Sequence, residues 1–188
     1  MKLSAIKQKA KKALSGNWFV SIVTFVLFVL LFILLDASCI GVLLSGVLFF
    51  AYSIFCLELI KSKRASLGAF FGGIFKHFFK KWGASLLVSL YTCLWSLVFL
   101  IPGMVKSYSY AMTPYIMHEK PDMGINDAIT KSRQMMNGYK WKLFCLDLSF
   151  TGWMLLSILT LGVALVYAWP YYNAAKAAFY KEIRKSAK

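Results

Sequence analysis

Residues 18–35 read WFVSIVTFVLFVLLFILL and carry no charge. A helix needs about 20 predominantly apolar residues to cross a bilayer, so this one run sets the question for the whole chain. Five further runs follow it. Residues 39–60 contain one charge, Glu58, near the end; 83–101 contain none; 104–118 are shorter and more polar. Residues 143–161 contain only Asp147, and 163–180 contain Lys176 near the end, with Pro170 placed to kink a helix. The composition agrees. Hydrophobic residues make up 60% of the 188 and charged residues 15%, where a soluble domain shows roughly 45–50% and about 25%. The predicted fold is an all-α membrane protein, a single integral membrane domain over 1–188 with about six transmembrane helices. The first run has a basic start like a signal peptide, but it is too long and no small-residue cleavage site follows.

Charge placement predicts the topology. The net charge is +15, which in a soluble protein would suggest nucleic acid. Here the basic residues lie between apolar runs, so the expected partner is an anionic membrane surface and no nucleic acid is expected. Six crossings put Lys2 to Lys12, Lys61 to Lys81, Lys120 to Lys142 and Lys176 to Lys188 on one side, which is 21 of the 22 lysines and arginines. By the positive-inside tendency that side is cytoplasmic, with both termini there and the cell membrane as the location. Lys106 is the exception. On this reading the outer face is bare, with short connections at DAS (36–38), IPG (101–103) and TLG (160–162).

Between the hairpins at 18–60, 83–118 (broken at Pro102-Gly103) and 143–180, three segments read as amphipathic helices on the cytoplasmic face. In 66–80, SLGAFFGGIFKHFFK, the rings of Phe70, Phe71, Phe75, Phe78 and Phe79 with Ile74 cover one half of a helix, and Lys76, His77, Lys80 and Lys81 the other. That pattern suits a helix lying in the interface, rings in the acyl boundary and amines at phosphates. Residues 1–16 carry a thinner stripe of Leu3, Ile6, Ala10, Ala13 and Leu14 beside five lysines. Residues 125–137 place Ile125, Ala128, Ile129, Ser132 and Met136 on one face, and Gly138 can end that helix.

Catalytic chemistry is thin. His77 and His118 have no partner at metal-ligand spacing, the four cysteines lie singly in apolar segments, and no phosphate-cradling glycine loop is present. Only seven carboxylates exist, none in a recognisable acid pair. No catalytic, metal or cofactor site is expected, and the chain reads as a non-enzyme.

LWSLVFLIPGMVKSYSYAMTPYIMHEKPD (94–122), DAITKSRQMMNGYKWKLFCLDLSFTGWMLLSILTLG (127–162) and AWPYYNAAKAAFYKEI (168–183) together resemble the uncharacterised bacterial integral-membrane family called domain of unknown function 975. The shared elements are Ile101-Pro102-Gly103, Lys106, Tyr108 and Tyr110, then Ser132-Arg133, Met136 and Gly138, then Ser149-Phe150, Gly152-Trp153, Thr160 and Gly162, and last Pro170-Tyr171 and Phe179-Tyr180. The resemblance covers about the C-terminal half. It implies a cell-membrane protein, typically of low-GC Gram-positive bacteria, and implies no activity.

The candidate contacts for anionic lipid headgroups are Lys76, Lys80, Lys81, Arg133, Lys140, Trp141 and Lys142, with Arg133 as a phosphate fork. The candidate intramembrane charge pair is Lys106 with Asp36, the acid at matching depth. The expected role is a non-enzymatic lipid-interacting accessory, or a self-protection factor against membrane-active peptides. The alternative is a small oligomeric transporter or channel using the polar 104–118 helix. A homo-oligomer is compatible with either reading.

Overall fold

The computed structural model describes the backbone of residues 3–36, 39–62, 66–98, 100–160 and 162–186; the side chains of 36, 39–43, 97, 98, 100–102 and 186 lie outside the description. Among the described residues the chain forms ten α-helices and no strand. These are α1 (Leu3–Leu14), α2 (Trp18–Asp36), α3 (Cys39–Ser62), α4 (Leu67–Phe75), α5 (Phe78–Val98), α6 (Leu100–Tyr110), α7 (Thr113–Glu119), α8 (Ile125–Met135), α9 (Lys140–Leu159) and α10 (Val163–Ser186).

Three of them are long and apolar enough to cross a membrane, over Trp18–Leu35 in α2, Leu44–Ser62 in α3 and Lys140–Leu159 in α9. They sit differently in the fold. Most of the α3 stretch is covered by its neighbours, while α2 and α9 are mostly uncovered. Phe19, Leu30, Ile33 and Leu34 of α2 and Leu148, Leu155, Ile158 and Leu159 of α9 face outward, Leu159 being 81% exposed. Contiguous apolar surface of this kind marks contact with lipid or protein. Around α3 the core is aromatic. Phe28 of α2 lies 5.2 Å from Tyr52, 5.3 Å from Phe49 and 6.4 Å from Trp169 of α10, ring centre to ring centre.

α1 buries Ile6, Ala10, Ala13 and Leu14. Its stripe packs on α10 and α3, and Lys9 pairs with Glu182 of α10. The apolar face read from the sequence is therefore protein contact.

Residues 66–80 do not form one helix. Ser66 caps α4, its hydroxyl accepting from the Gly68 amide at 3.2 Å. The helix ends at Phe75, Lys76 is extended, and His77 takes a left-handed backbone with φ +55°, a conformation that non-glycine residues seldom adopt. α5 starts at Phe78. α4 closes onto α3 through Phe70, which is fully buried, and through Gly73, where a Cβ would meet the Ala51 Cα at 2.9 Å. Of the expected ring face, Phe71, Phe75 and Phe79 remain exposed, Phe79 at 80%.

Residues 104–118 are likewise two helices, parted at Ala111-Met112 before Pro114. At 1.5 Å per residue α6 is about 16 Å long and α7 about 10 Å, each well short of the ~30 Å hydrocarbon core. Pro102 and Gly103 fall in the first turn of α6, where proline costs no intrahelical hydrogen bond. Gly103 permits the α5–α6 approach, since a Cβ there would lie 2.8 Å from the Ser96 Cα.

The position of this hairpin departs from the six-crossing expectation. In that layout residues 104–106 lie at the outer end and 126–141 at the inner face. In the structure Met104, Val105 and Tyr108 share a cavity with Lys140, Trp141 and Phe144, and Lys106 and Tyr110 share another with Asn126, Thr130 and Arg133. The start of α6 is thus on the same side as α8 and the start of α9. α8 lies along the α5–α6 pair, with Ile125 facing Gly83 and the Ser132 hydroxyl donating to the Ser109 carbonyl at 2.8 Å while accepting from the Met112 amide at 3.2 Å.

Candidate functional site on the basic face

The ends of α3 and α7 and the α4–α5 corner enclose a cavity of about 320 Å³. Glu58, one helical turn before the end of α3, faces His118 at the end of α7, with Nε2 and Oε1 2.8 Å apart. Lys76 and His77 reach the cavity from the corner, and Lys80 and Lys81 from the first turn of α5. The two last lysines are tied to the backbone. The Lys80 amine donates to the Pro121 carbonyl and the Lys81 amine to the Gly73 carbonyl. The second bond lands on the last turn of α4, where carbonyls lack helical partners and a positive charge is favoured. Lys81 is 5% exposed. Burial and, secondarily, the Lys76 charge push its amine down to about 8.

A second cluster joins three elements. Glu119, at the end of α7, holds Lys61 of α3 at 3.0 Å and accepts from Tyr180 of α10 at 2.7 Å. It also pairs with Arg184 of α10. Burial pushes its carboxyl up, but the hydrogen bonds from Tyr180 and Lys61 and the charges of Lys61 and Arg184 outweigh that, holding it below the usual carboxylate range. The chemistry available here is ion pairing and anion binding. Among the described residues no group of three or more His, Cys, Asp and Glu could hold a metal ion.

The sequence-derived candidates divide. Lys76 is an exposed amine at the cavity mouth, whereas Lys80 and Lys81 are turned onto carbonyls of their own chain. Arg133 lies with Lys106 in a cavity of about 300 Å³. Lys140 and Trp141 line a further cavity with Met104, Val105, Tyr108 and Phe144, and Lys142 lies 5.1 Å from the Tyr139 ring. For the Lys106–Asp36 pair, the Asp36 side chain lies outside the described residues. Lys106 itself sits over the Trp95 ring at 4.1 Å, a cation–π contact worth roughly 0.5–2 kcal/mol depending on solvation. The Glu58–His118 and Glu119–Lys61 pairs were missed because 60 and 58 residues separate the partners. One signal was present: with seven acids among 22 bases, each acid has cations to choose from.

Residues 97–187 match the family described as Protein of unknown function (DUF975). The match spans just under half of the chain, and that stretch is similar to the family. No curated protein and no solved structure matches the chain. The DUF975 segment holds Lys106, Arg133 and Glu119; Glu58, Lys61, Trp95 and the lysines of the α4–α5 corner precede it.

Proposed function

We propose that this chain is a cell-membrane protein with four crossing helices, over 18–35, 39–60, 143–161 and 163–180, and both termini cytoplasmic. Residues 61–142 form a basic platform on the inner face, and its role is to engage anionic headgroups or membrane-active amphiphiles without catalysis. The supporting observation is the pairing of residues 104–106 with 126–141 in two cavities. Taken with the three long apolar helices, it supports a layout with Lys106 at the inner face. All 22 lysines and arginines then share one side, a fuller agreement with the positive-inside tendency than six crossings give. Phe71, Phe75 and Phe79 supply the rings for the acyl boundary. The transporter alternative rested on a polar helix crossing at 104–118, and α6 and α7 are each too short for that.

The test is extraction followed by reconstitution. The chain should stay with the membrane through an alkaline carbonate wash. Purified in mild detergent, it should retain phosphatidylglycerol over phosphatidylcholine, and reconstituted it should pass no ions. Release by carbonate would overturn the membrane reading; ion flux would overturn the non-transport role.

A further inference from the structure

The cavity that joins Lys106 to Arg133 is built by three helices. α5 presents Tyr91 and Trp95, α6 presents Lys106 and Tyr110, and α8 presents Asn126, Thr130 and Arg133, with Ile129 completing the wall. Each helix contributes residues at i, i+4 spacing, or i, i+4, i+7 on α8, so the set faces one space by geometry. The lining offers an amine, a guanidinium, an amide and three hydroxyls. No carboxylate lines it, and among the described residues neither Lys106 nor Arg133 has a carboxylate partner. The Trp95 ring positions the Lys106 amine but supplies no neutralising charge. Two cations held into one space beside hydrogen-bond donors match a tetrahedral oxyanion, with the guanidinium able to take two oxygens at once.

We infer that this cavity is a phosphate site, occupied by the headgroup phosphate of an anionic lipid or by free phosphate. The lipid source rests on the membrane reading above; the phosphate chemistry does not. Leu94, Met104 and Val105, within two residues in sequence of the lining residues Trp95 and Lys106, are apolar and exposed, a surface that acyl chains could cover.

The experiment uses the full chain in a neutral detergent. Retention of phosphatidylglycerol and of phosphatidylcholine is read by native mass spectrometry, and the melting temperature is read with each lipid and with inorganic phosphate. Wild type should prefer phosphatidylglycerol. Lys106→Gln and Arg133→Gln should each cut retention about tenfold, and the double variant should lose little more. Lys11→Gln, an exposed change on α1 outside the 61–142 platform, should leave retention within twofold. Arg133→Lys should fall between, because it keeps the charge and loses the fork. Should a glutamine variant fail to fold, Lys106→Arg serves as the charge-keeping comparison and should retain lipid. Phosphate raising the melting temperature of wild type but not of the variants, with no lipid preference, would assign the site to free phosphate. Equal retention in wild type and both single variants, or no response to either ligand, would overturn the site. A chain that still resists carbonate in that case leaves the membrane reading standing, so the two failures are distinguishable.

Discussion

Lys81 gives the most quantitative test of how the platform is held. Its amine is pushed from an ordinary 10.5 to about 8 by burial and by Lys76. At 1.36 kcal/mol per pH unit, that difference corresponds to about 3 kcal/mol. The sign follows from proton binding. Between pH 8 and 10.5 the unfolded chain holds a proton at Lys81 that the folded chain has released, so stability rises with pH across that window. Below pH 8 the folded state carries the full cost of the buried charge, and above 10.5 the cost is gone. Lys81→Met keeps the aliphatic volume and has no proton to lose. The assay is denaturant unfolding in mild detergent at half-unit steps from pH 7 to 11, read as wild type minus variant, which cancels the other lysines and tyrosines. Wild type should gain about 2–3 kcal/mol relative to Lys81→Met between pH 8 and 10.5. A flat difference, or one that falls with pH, would refute the account of a charged amine held on the Gly73 carbonyl.

Two neighbouring glycines should behave oppositely. Gly73→Ala drives a methyl into the Ala51 backbone and should cost about 1–3 kcal/mol as overpacking, whereas Gly72→Ala meets open space and should gain up to about 1 kcal/mol of helix propensity, both read by melting in detergent. In a cysteine-free background, Lys106→Cys should react with an impermeant thiol reagent only from the cytoplasmic side; labelling from outside intact cells would restore the six-crossing layout.

The long apolar helices were legible because an uncharged run of 18 residues needs no partner to be recognised. The stripes of α1 and α8 were legible too, since period 3.6 survives whether the face meets lipid or protein, and for the same reason the sequence could not say which it met. Residues 104–118 read as one helix for a physical reason. An 11-residue helix and a 7-residue helix on either side of Ala111-Met112 have, together, the length and apolarity of a marginal span. The information that they part lay in Pro114, whose preference for a first helical turn places a boundary just before it. Likewise the break at His77 has no composition signal, because a histidine in a left-handed conformation is set by tertiary contacts. The basic residues were recognisable as a class, but not which were exposed. Lys76 and Lys81 sit five apart and look equivalent in the sequence, yet one lies at a cavity mouth and the other is buried on a carbonyl.

The Glu119 cluster also makes the two halves of the chain depend on each other. Glu119, Tyr180 and Arg184 lie inside the DUF975 segment, and Lys61 lies outside it. The acid inside the match therefore leans on a cation that the match does not include. Arg184 offers it a second cation from within the match, so Lys61 is one of two cationic partners. Cutting the chain between α3 and α7 would part the acid from Lys61 and leave it Arg184 and Tyr180.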